Sequence, residues 1–311
     1  MRIYHSIEDF PSDIKTIVTI GTFDGVHLGH RSIISRINKI AKEERLQSVI
    51  LTLYPHPRHV LYPEDQNLRL INTIEEKIVA LETTGLQNLI IHKFTKDFSR
   101  ISSISFIRDV LVGKLNMKYM VVGFDHHFGK NRKGTFGNLL DFSDVYDFKI
   151  ERVEPQKVGG VTISSTKIRG EIEKGDMRKV NSYLCYDFSI KGKVVAGNGI
   201  GSKIGFPTAN IHIANSWKIL PKDGVYAVKV FIKNQQYFGM LNLGHRPSIS
   251  DSAFVIEVHL FDFDFSVYDQ EIQVGFIRRI RGEKKFLSLE KLKSQLIIDA
   301  INCKRIFNIP I

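Results

Sequence analysis

Residues 20–30 read IGTFDGVHLGH, and the fold turns on what stands to either side of them. Before them, TIVTIGTF is β-branched and aromatic, the make-up of a buried strand. After them, GHRSIISRINKIAKEER repeats apolar residues at helical spacing through Ile33, Ile34, Ile37, Ile40 and Ala41. The stretch therefore ends a strand and opens a helix. Such a junction has backbone N–H groups without helical partners at the positive end of the macrodipole, which suits a phosphate. Gly21, Gly25 and Gly29 let the backbone approach a ligand. His27 and His30, three residues apart, are suited to donate hydrogen bonds to phosphate oxygens as negative charge builds in a transition state. Histidines at this spacing can also share a metal, but no third ligand follows at a convincing spacing. Plain surface histidines would leave the three glycines unexplained.

Outward from this stretch, SVILTLYPHPR is a strand running into Pro55, His56, Pro57 and Arg58, where two prolines stiffen the loop that carries His56. Residues 74–84 read as a helix, 88–94 as a strand, 103–115 as a helix and 119–125 as a strand. Alternation of this kind predicts an α/β, Rossmann-like domain whose parallel sheet binds ligand at the carboxyl ends of its strands. GFDHHFGKNRKG (123–134) leaves such an end and gathers Asp125, His126, His127, Lys130, Arg132 and Lys133 in one loop, fit for a polyphosphate or an adjacent substrate. In ISSTKIRG (163–170), the hydroxyls of Ser164, Ser165 and Thr166 precede Lys167 and Arg169 at a helix start. N-cap oxygens, backbone donors and cations are thus offered to one anion. A last helix is expected over 176–184, and the periodicity changes at 184–188. The domain boundary is accordingly set between residues 1–184 and 185–311.

The second half alternates with a short period through FSIKGKVVAG, GVYAVKVFIKNQQYFGMLNLG, AFVIEVHLFDFDF and EIQVGFIRRI, then closes on one helical segment. That predicts a small antiparallel β-barrel with a terminal helix. GNGIGSKIGFPTANI (197–211) is rich in glycine but is neither a Walker A motif nor G-x-G-x-x-G. It ends on Pro207-Thr208-Ala209-Asn210, whose hydroxyl and carboxamide are the hard oxygen ligands Mg²⁺ accepts beside nucleotide phosphates. Glu257 stands mid-strand in VIEVHL, either as a partly desolvated base toward a substrate hydroxyl or as an outward residue of an amphipathic strand.

Composition bounds the rest. The 311 residues suffice for two cores, and 43% hydrophobic with 25% charged residues is ordinary for a globular protein. The net charge of +11 is spread out, with 27 basic against 22 acidic residues over 1–186 and 17 against 11 over 187–311. A nucleic-acid tail is not indicated, and an anionic nucleotide substrate accounts for part of the excess. No apolar stretch reaches the ~20 residues of a membrane span, and the start, MRIYHSIEDFPSDIK, has no secretory character. Cys185 and Cys303 form no metal or redox spacing. A cytoplasmic protein with two small apolar filler cysteines is expected.

The ten-residue G-x-F-D-G-x-H-x-G-H, with Gly21, Phe23, Asp24, Gly25, His27, Gly29 and His30, resembles the signature of the HxGH nucleotidyltransferases as carried by bacterial bifunctional riboflavin kinase/FMN adenylyltransferases. The family's P-H-P, its G-x-D-x-x-F-G-x-x-R-x-G loop (Gly123, Asp125, Phe128, Gly129, Arg132, Gly134) and its S-S-T-x-I-R segment follow in order. So do G-F-P-T-A-N (205–210), G-V-Y-A-V (224–228), N-x-G-x-R-P (242–247), E-V-H-L (257–260) and R-x-E-x-x-F (281–286) in the second half. Ser202, Ser248 and Asp269 depart from the family's usual arginine, threonine and glycine. The resemblance implies ATP as co-substrate with Mg²⁺, and riboflavin, FMN and FAD as flavin ligands. It implies His27 and His30 as catalytic groups, with Ser164, Ser165, Thr166 and Arg169 on the ATP phosphates. His56, Asp125, Phe128, Lys130 and Arg132 would serve the FMN side. For the kinase half it implies Glu257 as base and Thr208 and Asn210 on the metal, with Gly201, Lys203, Gly205, Pro207, Arg281 and Glu283 around nucleotide and flavin. Two readings stay open beside it: an HxGH nucleotidyltransferase for another substrate, and a flavin- or RNA-binding regulator.

Overall fold

The alternation of the first half becomes a six-stranded sheet with every strand parallel, in the order β1-β4-β3-β2-β5-β6. The strands are β1 (Arg2–Tyr4), β2 (Thr16–Ile20), β3 (Gln47–Tyr54), β4 (Asn88–Lys93), β5 (Met117–Gly123) and β6 (Lys149–Val153). This computed structural model describes residues 1–65, 67–124, 136–197, 199–233, 235–245, 254–263 and 266–310. Its contacts separate two compact units, Met1–Ser165 and Thr166–Ile311.

In the first unit, α1 (Leu28–Glu43) buries Ile34, Ile37, Ile40 and Ala41, the stripe its spacing predicts. Arg36 on α1 forks onto Glu151 of β6, both contacts at 2.6 Å. Short α2 (Pro57–Leu61) and α3 (Ile74–Glu82) follow β3, and Thr73 and Glu76 close a capping box on α3. The helix expected over 103–115 is one α-turn, α4 (Ser103–Ser105), continued by a wider π-type helix, Phe106–Lys114. β1, α5 (Phe136–Tyr146), β6 and the hairpin of β7 (Lys157–Val158) with β8 (Val161–Thr162) add elements the periodicity did not predict. The chain runs outward from β2 to β3 and β4, then returns to place β5 on β2's other side. That reversal makes the carboxyl ends of β2 and β5 the crevice of a doubly wound sheet.

In the second unit, α6 (Ser165–Lys174) and α7 (Met177–Leu184) precede a closed antiparallel barrel in the order β10-β13-β12-β11-β14-β9. Its strands are β9 (Ser189–Val195), β10 (Ala209–His212), β11 (Gly224–Ile232), β12 (Gln235–His245), β13 (Phe254–Leu260) and β14 (Glu271–Arg281), with a helical turn α8 (Ile200–Lys203) before β10. Phe188, Tyr226 and Phe276 meet in the core, with ring centroids 5.2 to 5.9 Å apart. The terminal helix α9 (Leu289–Phe307) adds buried Cys303 to a second cluster with Val225, Ala227 and Met240. Cys185 is no filler, because it lies exposed at the left-handed end of α7. Asp269 has φ +61°, a left-handed conformation that favours glycine and that aspartate tolerates better than most residues, so the departure from the family's glycine is accommodated.

Candidate active sites

The first site is built where β2 ends. Phe23, Gly25 and Val26 all take positive φ (+46°, +88° and +38°), so the turn between β2 and α1 is coiled against the usual hand. Asp24 holds it there. Its buried carboxylate accepts from the backbone N–H of Ile71 and Asn72 at 3.0–3.1 Å, and its carbonyl accepts from Ser165 Oγ at 2.8 Å. Among these contacts the Asp24 carboxylate acts as a loop anchor.

His27 then caps α1, its Nδ1 accepting from the His30 N–H at 3.4 Å. A ring that accepts at Nδ1 carries its proton on Nε2. The His27 and His30 rings stack at 3.7 Å, and Phe23 lies 4.9 Å from His30. Gly29 makes room for this stack, since a Cβ there would come within 3.2 Å of the His27 ring. His30 Nδ1 is enclosed without a protein partner. Burial first, then the positive fields of His27 and Lys77, hold its imidazole well below its ordinary pKa of 6.5. His30 thus offers a neutral hydrogen-bond donor to an anion, with His27 Nε2–H beside it.

Beside the turn, Asp24, Tyr54, His56, Asn72 and Lys77 line a small cleft with the apolar Leu53, Leu70 and Ile74. His56 caps α2 through Nδ1, which accepts from Arg58 N–H at 3.2 Å. So β2, β3 and α3 bring His27, His30, Asp24, Ser165 and His56 into one region of the first unit. Ser164 is partly buried next to Ser165, whereas Thr166 and Arg169 belong to α6 in the second unit. Asp125, Phe128, Lys130 and Arg132 lie outside the described residues. Lys77 and Asn72 were not singled out in the sequence. The available signal is that Lys77 falls on the apolar stripe of α3, three residues after Ile74 and four before Leu81.

The second site lies on the barrel. β10 and β12 flank β13, with Asn210 and Asn242 in register with Glu257 from opposite sides. Side chains directly opposite across a sheet share a face, so one partly buried carboxylate stands between two carboxamides. Ile256 and Val258 are buried, so Glu257 lies on the opposite face of the strand and stays partly buried there. Asn242 opens the N-x-G-x-R-P segment, of which 246 and 247 lie outside the described residues. Two glycines of 197–205 have a close-packing reason. A Cβ on Gly197 would meet Asn210 Nδ2 at 2.0 Å, and one on Gly201 would meet Phe206 O at 2.2 Å and Thr208 Oγ1 at 3.2 Å. The glycine segment therefore lies directly over Thr208 and Asn210. The hydroxyl and carboxamide oxygens there are the neutral donors that fit Mg²⁺ shared with nucleotide phosphates. Among the described residues no cluster of three His, Cys, Asp or Glu could hold a metal.

Around this centre, His259 donates from Nδ1 to Pro207 O at 2.8 Å and packs on Phe206. Lys203 and Gly205 are exposed, and Glu283 accepts from His245 N–H at 3.0 Å. Arg281 has a different setting from the other predicted residues. Its guanidinium forks onto Asp299 of α9 at 2.8–3.1 Å, and Asp299 is 1% exposed, so this charge ties the terminal helix to β14. No helix among the described residues is long and apolar enough to cross a membrane.

A family model described as FAD synthetase matches residues 9–167, and one described as riboflavin kinase matches 184–307. A protein of Bacillus subtilis (strain 168) named bifunctional riboflavin kinase/FMN adenylyltransferase is 36% identical over 310 residues, covering 98% of this chain and 96% of its own. The Escherichia coli (strain K12) protein of the same name is 32% identical over 310 residues, covering 99% and 98%. A crystal structure described as a macrolide-efflux protein from Streptococcus pneumoniae superposes with a TM-score of 0.87 at 31% identity, covering 96% of both chains.

Proposed function

The chain belongs to the bifunctional riboflavin kinase/FMN adenylyltransferase family, and from that membership we propose how its own residues carry the two reactions. The riboflavin kinase part transfers the γ-phosphoryl of ATP to riboflavin, giving FMN and ADP, and the FAD synthetase part joins FMN to the adenylyl group of ATP, giving FAD and pyrophosphate. The functional domains are taken as residues 1–184 and 185–311, in the cytoplasm.

In the kinase reaction, Glu257 takes the proton of the ribityl 5′-hydroxyl as its oxygen attacks the γ-phosphorus and the bond to ADP breaks. Asn210 and Asn242 hold that carboxylate's face of the sheet in register, which supports the assignment. Thr208 and Asn210 would hold Mg²⁺, which when bound neutralises charge on the ATP phosphates. The glycine segment over them, with Gly201, Lys203, Gly205 and Pro207, closes on the nucleotide, and Glu283 stands at its far side.

In the adenylyl transfer, an oxygen of the FMN phosphate attacks the α-phosphorus of ATP and pyrophosphate leaves. His27 and His30 donate hydrogen bonds to the phosphate oxygens as charge develops, with no covalent enzyme intermediate. Asp24 and Ser165 keep the turn in shape for this, and Ser164, Thr166 and Arg169 bind the departing phosphates. His56, Asp125, Phe128, Lys130 and Arg132 receive FMN. The observation that carries the two-site reading is that the chemistry-bearing groups gather in both compact units: His27, His30, Asp24 and His56 in the first, and Thr208, Asn210 and Glu257 in the second. The test is a time course with riboflavin, ATP and Mg²⁺, the flavins being separated chromatographically. FMN appearing first and FAD after it is the expected result, and FMN alone would remove the adenylyltransferase reading.

A further inference from the structure

Lys77 is unusual for a lysine. It sits on the apolar stripe of α3 and is 7% exposed, yet it lines the small cleft beside the HxGH turn. No hydrogen bond or ion pair to its Nζ is formed among the described residues. The carboxylate whose field it feels, Asp24, accepts from two backbone N–H groups. Burial outweighs that field and lowers the ammonium to about 8. A buried ammonium without a close partner is costly, and replacing it with an apolar side chain would be the cheaper fold. A cation kept in a cleft at the carboxyl end of a parallel sheet calls for an anion arriving from solution.

We propose that Lys77 is a substrate-binding residue of the adenylyltransferase site, its ammonium gripping a phosphoryl oxygen of a bound substrate in the cleft formed with Asp24, His56 and Asn72. This deepens the function proposed above and rests on it. Two features narrow the chemistry. The cleft's walls are apolar at Leu53, Leu70 and Ile74, which suits an organic phosphate over a bare ion. Lys77 also acts electrostatically on His30, so the gripped phosphoryl lies near the histidine pair. FMN and ATP both supply such a group. The charged or titratable groups facing Lys77 are Asp24 and His30 from the turn and α1, and Tyr54 and His56 from the end of β3.

The experiment compares the full-length protein with Lys77→Met and Lys77→Arg, measuring FAD formation with FMN and ATP varied in turn, across pH, together with thermal unfolding. Loss of a charge-assisted contact should raise one KM by about 10- to 100-fold in Lys77→Met. A rise confined to FMN assigns its 5′-phosphate, and one confined to ATP assigns the triphosphate. Lys77→Arg should recover part of the loss. It should also lack the fall in kcat/KM that the wild type shows above about pH 8, the value to which burial brings this lysine. The melting temperature of Lys77→Met should stay level or rise, since a buried charge is removed. Unchanged KM values would overturn the inference while leaving the function intact. A lowered melting temperature with no recovery in Lys77→Arg would make Lys77 a packing residue and overturn it too. Wild-type protein that forms no FAD would remove the functional reading and this inference with it.

Discussion

Replacing Gly197 with alanine tests the proposed kinase site where its glycine segment meets Asn210. The added Cβ would stand 2.0 Å from Asn210 Nδ2 and 2.7 Å from its Cγ. Ordinary contact between such atoms is about 3.5 Å, so the carboxamide must retreat by roughly 1.5 Å. It can do so by rotating, because the obstacle is the end of a side chain and not backbone. Folding stability should therefore change by less than about 1 kcal/mol. The site should not be so tolerant. A misplacement of this size at a catalytic centre costs on the order of 100-fold, equivalent to about 2.7 kcal/mol of transition-state stabilisation. The assay is steady-state riboflavin phosphorylation with riboflavin and ATP varied, beside FAD formation from supplied FMN, which should not change. A double-mutant cycle makes the test specific: on an Asn210→Ala background, Gly197→Ala should have almost no further effect. Full kinase activity in Gly197→Ala, or additive losses in the cycle, would refute the idea that this glycine exists to leave room for Asn210.

Three further outcomes are expected. Glu257→Gln should lower riboflavin phosphorylation by about 100- to 10,000-fold while FMN supplied directly is still converted to FAD, and a fully active variant would end the assignment of the base. Asp299→Ala strands Arg281 in its largely buried place and should cost about 3–5 kcal/mol, read as a lower urea midpoint for unfolding of the barrel. His30 gives the fold a pH dependence. Its folded pKa lies below the 6.5 of the unfolded chain, so the unfolded state binds more protons once pH drops through that value. Its contribution to stability is complete above about pH 6.5 and is lost on acidification. His30→Gln should flatten that part of the acid loss between about pH 7 and 5 in urea titrations, besides abolishing FAD formation. An unchanged acid slope would place the titration elsewhere.

Much of this protein could be read from the chain alone, because the informative features are local. A β-branched run, three glycines and a helical repeat within about thirty residues are enough to predict β2, the turn and α1, and the period-two segments announce a barrel. The residues His27, His30, Thr208, Asn210 and Glu257 come forward as candidates for the same reason: their chemistry stands out against their immediate neighbours. Other features depend on pairings between distant segments, which periodicity does not encode. The register that sets Asn242 and Asn210 on either side of Glu257 comes from three strands separated by long connections. Gly197 reads as one more flexible residue until the fold lays it against Asn210. Arg281 reads as a residue around nucleotide and flavin, and only the fold shows that α9 pairs it with Asp299. Lys77 reads as an ordinary helix lysine until the turn of Asp24 and the end of β3 close around it. Sequence by itself determined which groups this protein carries and the elements that bear them, since propensity and spacing act over a few residues. Tertiary structure alone decided which of those groups are buried, opposed or already paired, since burial and register arise only when distant segments pack.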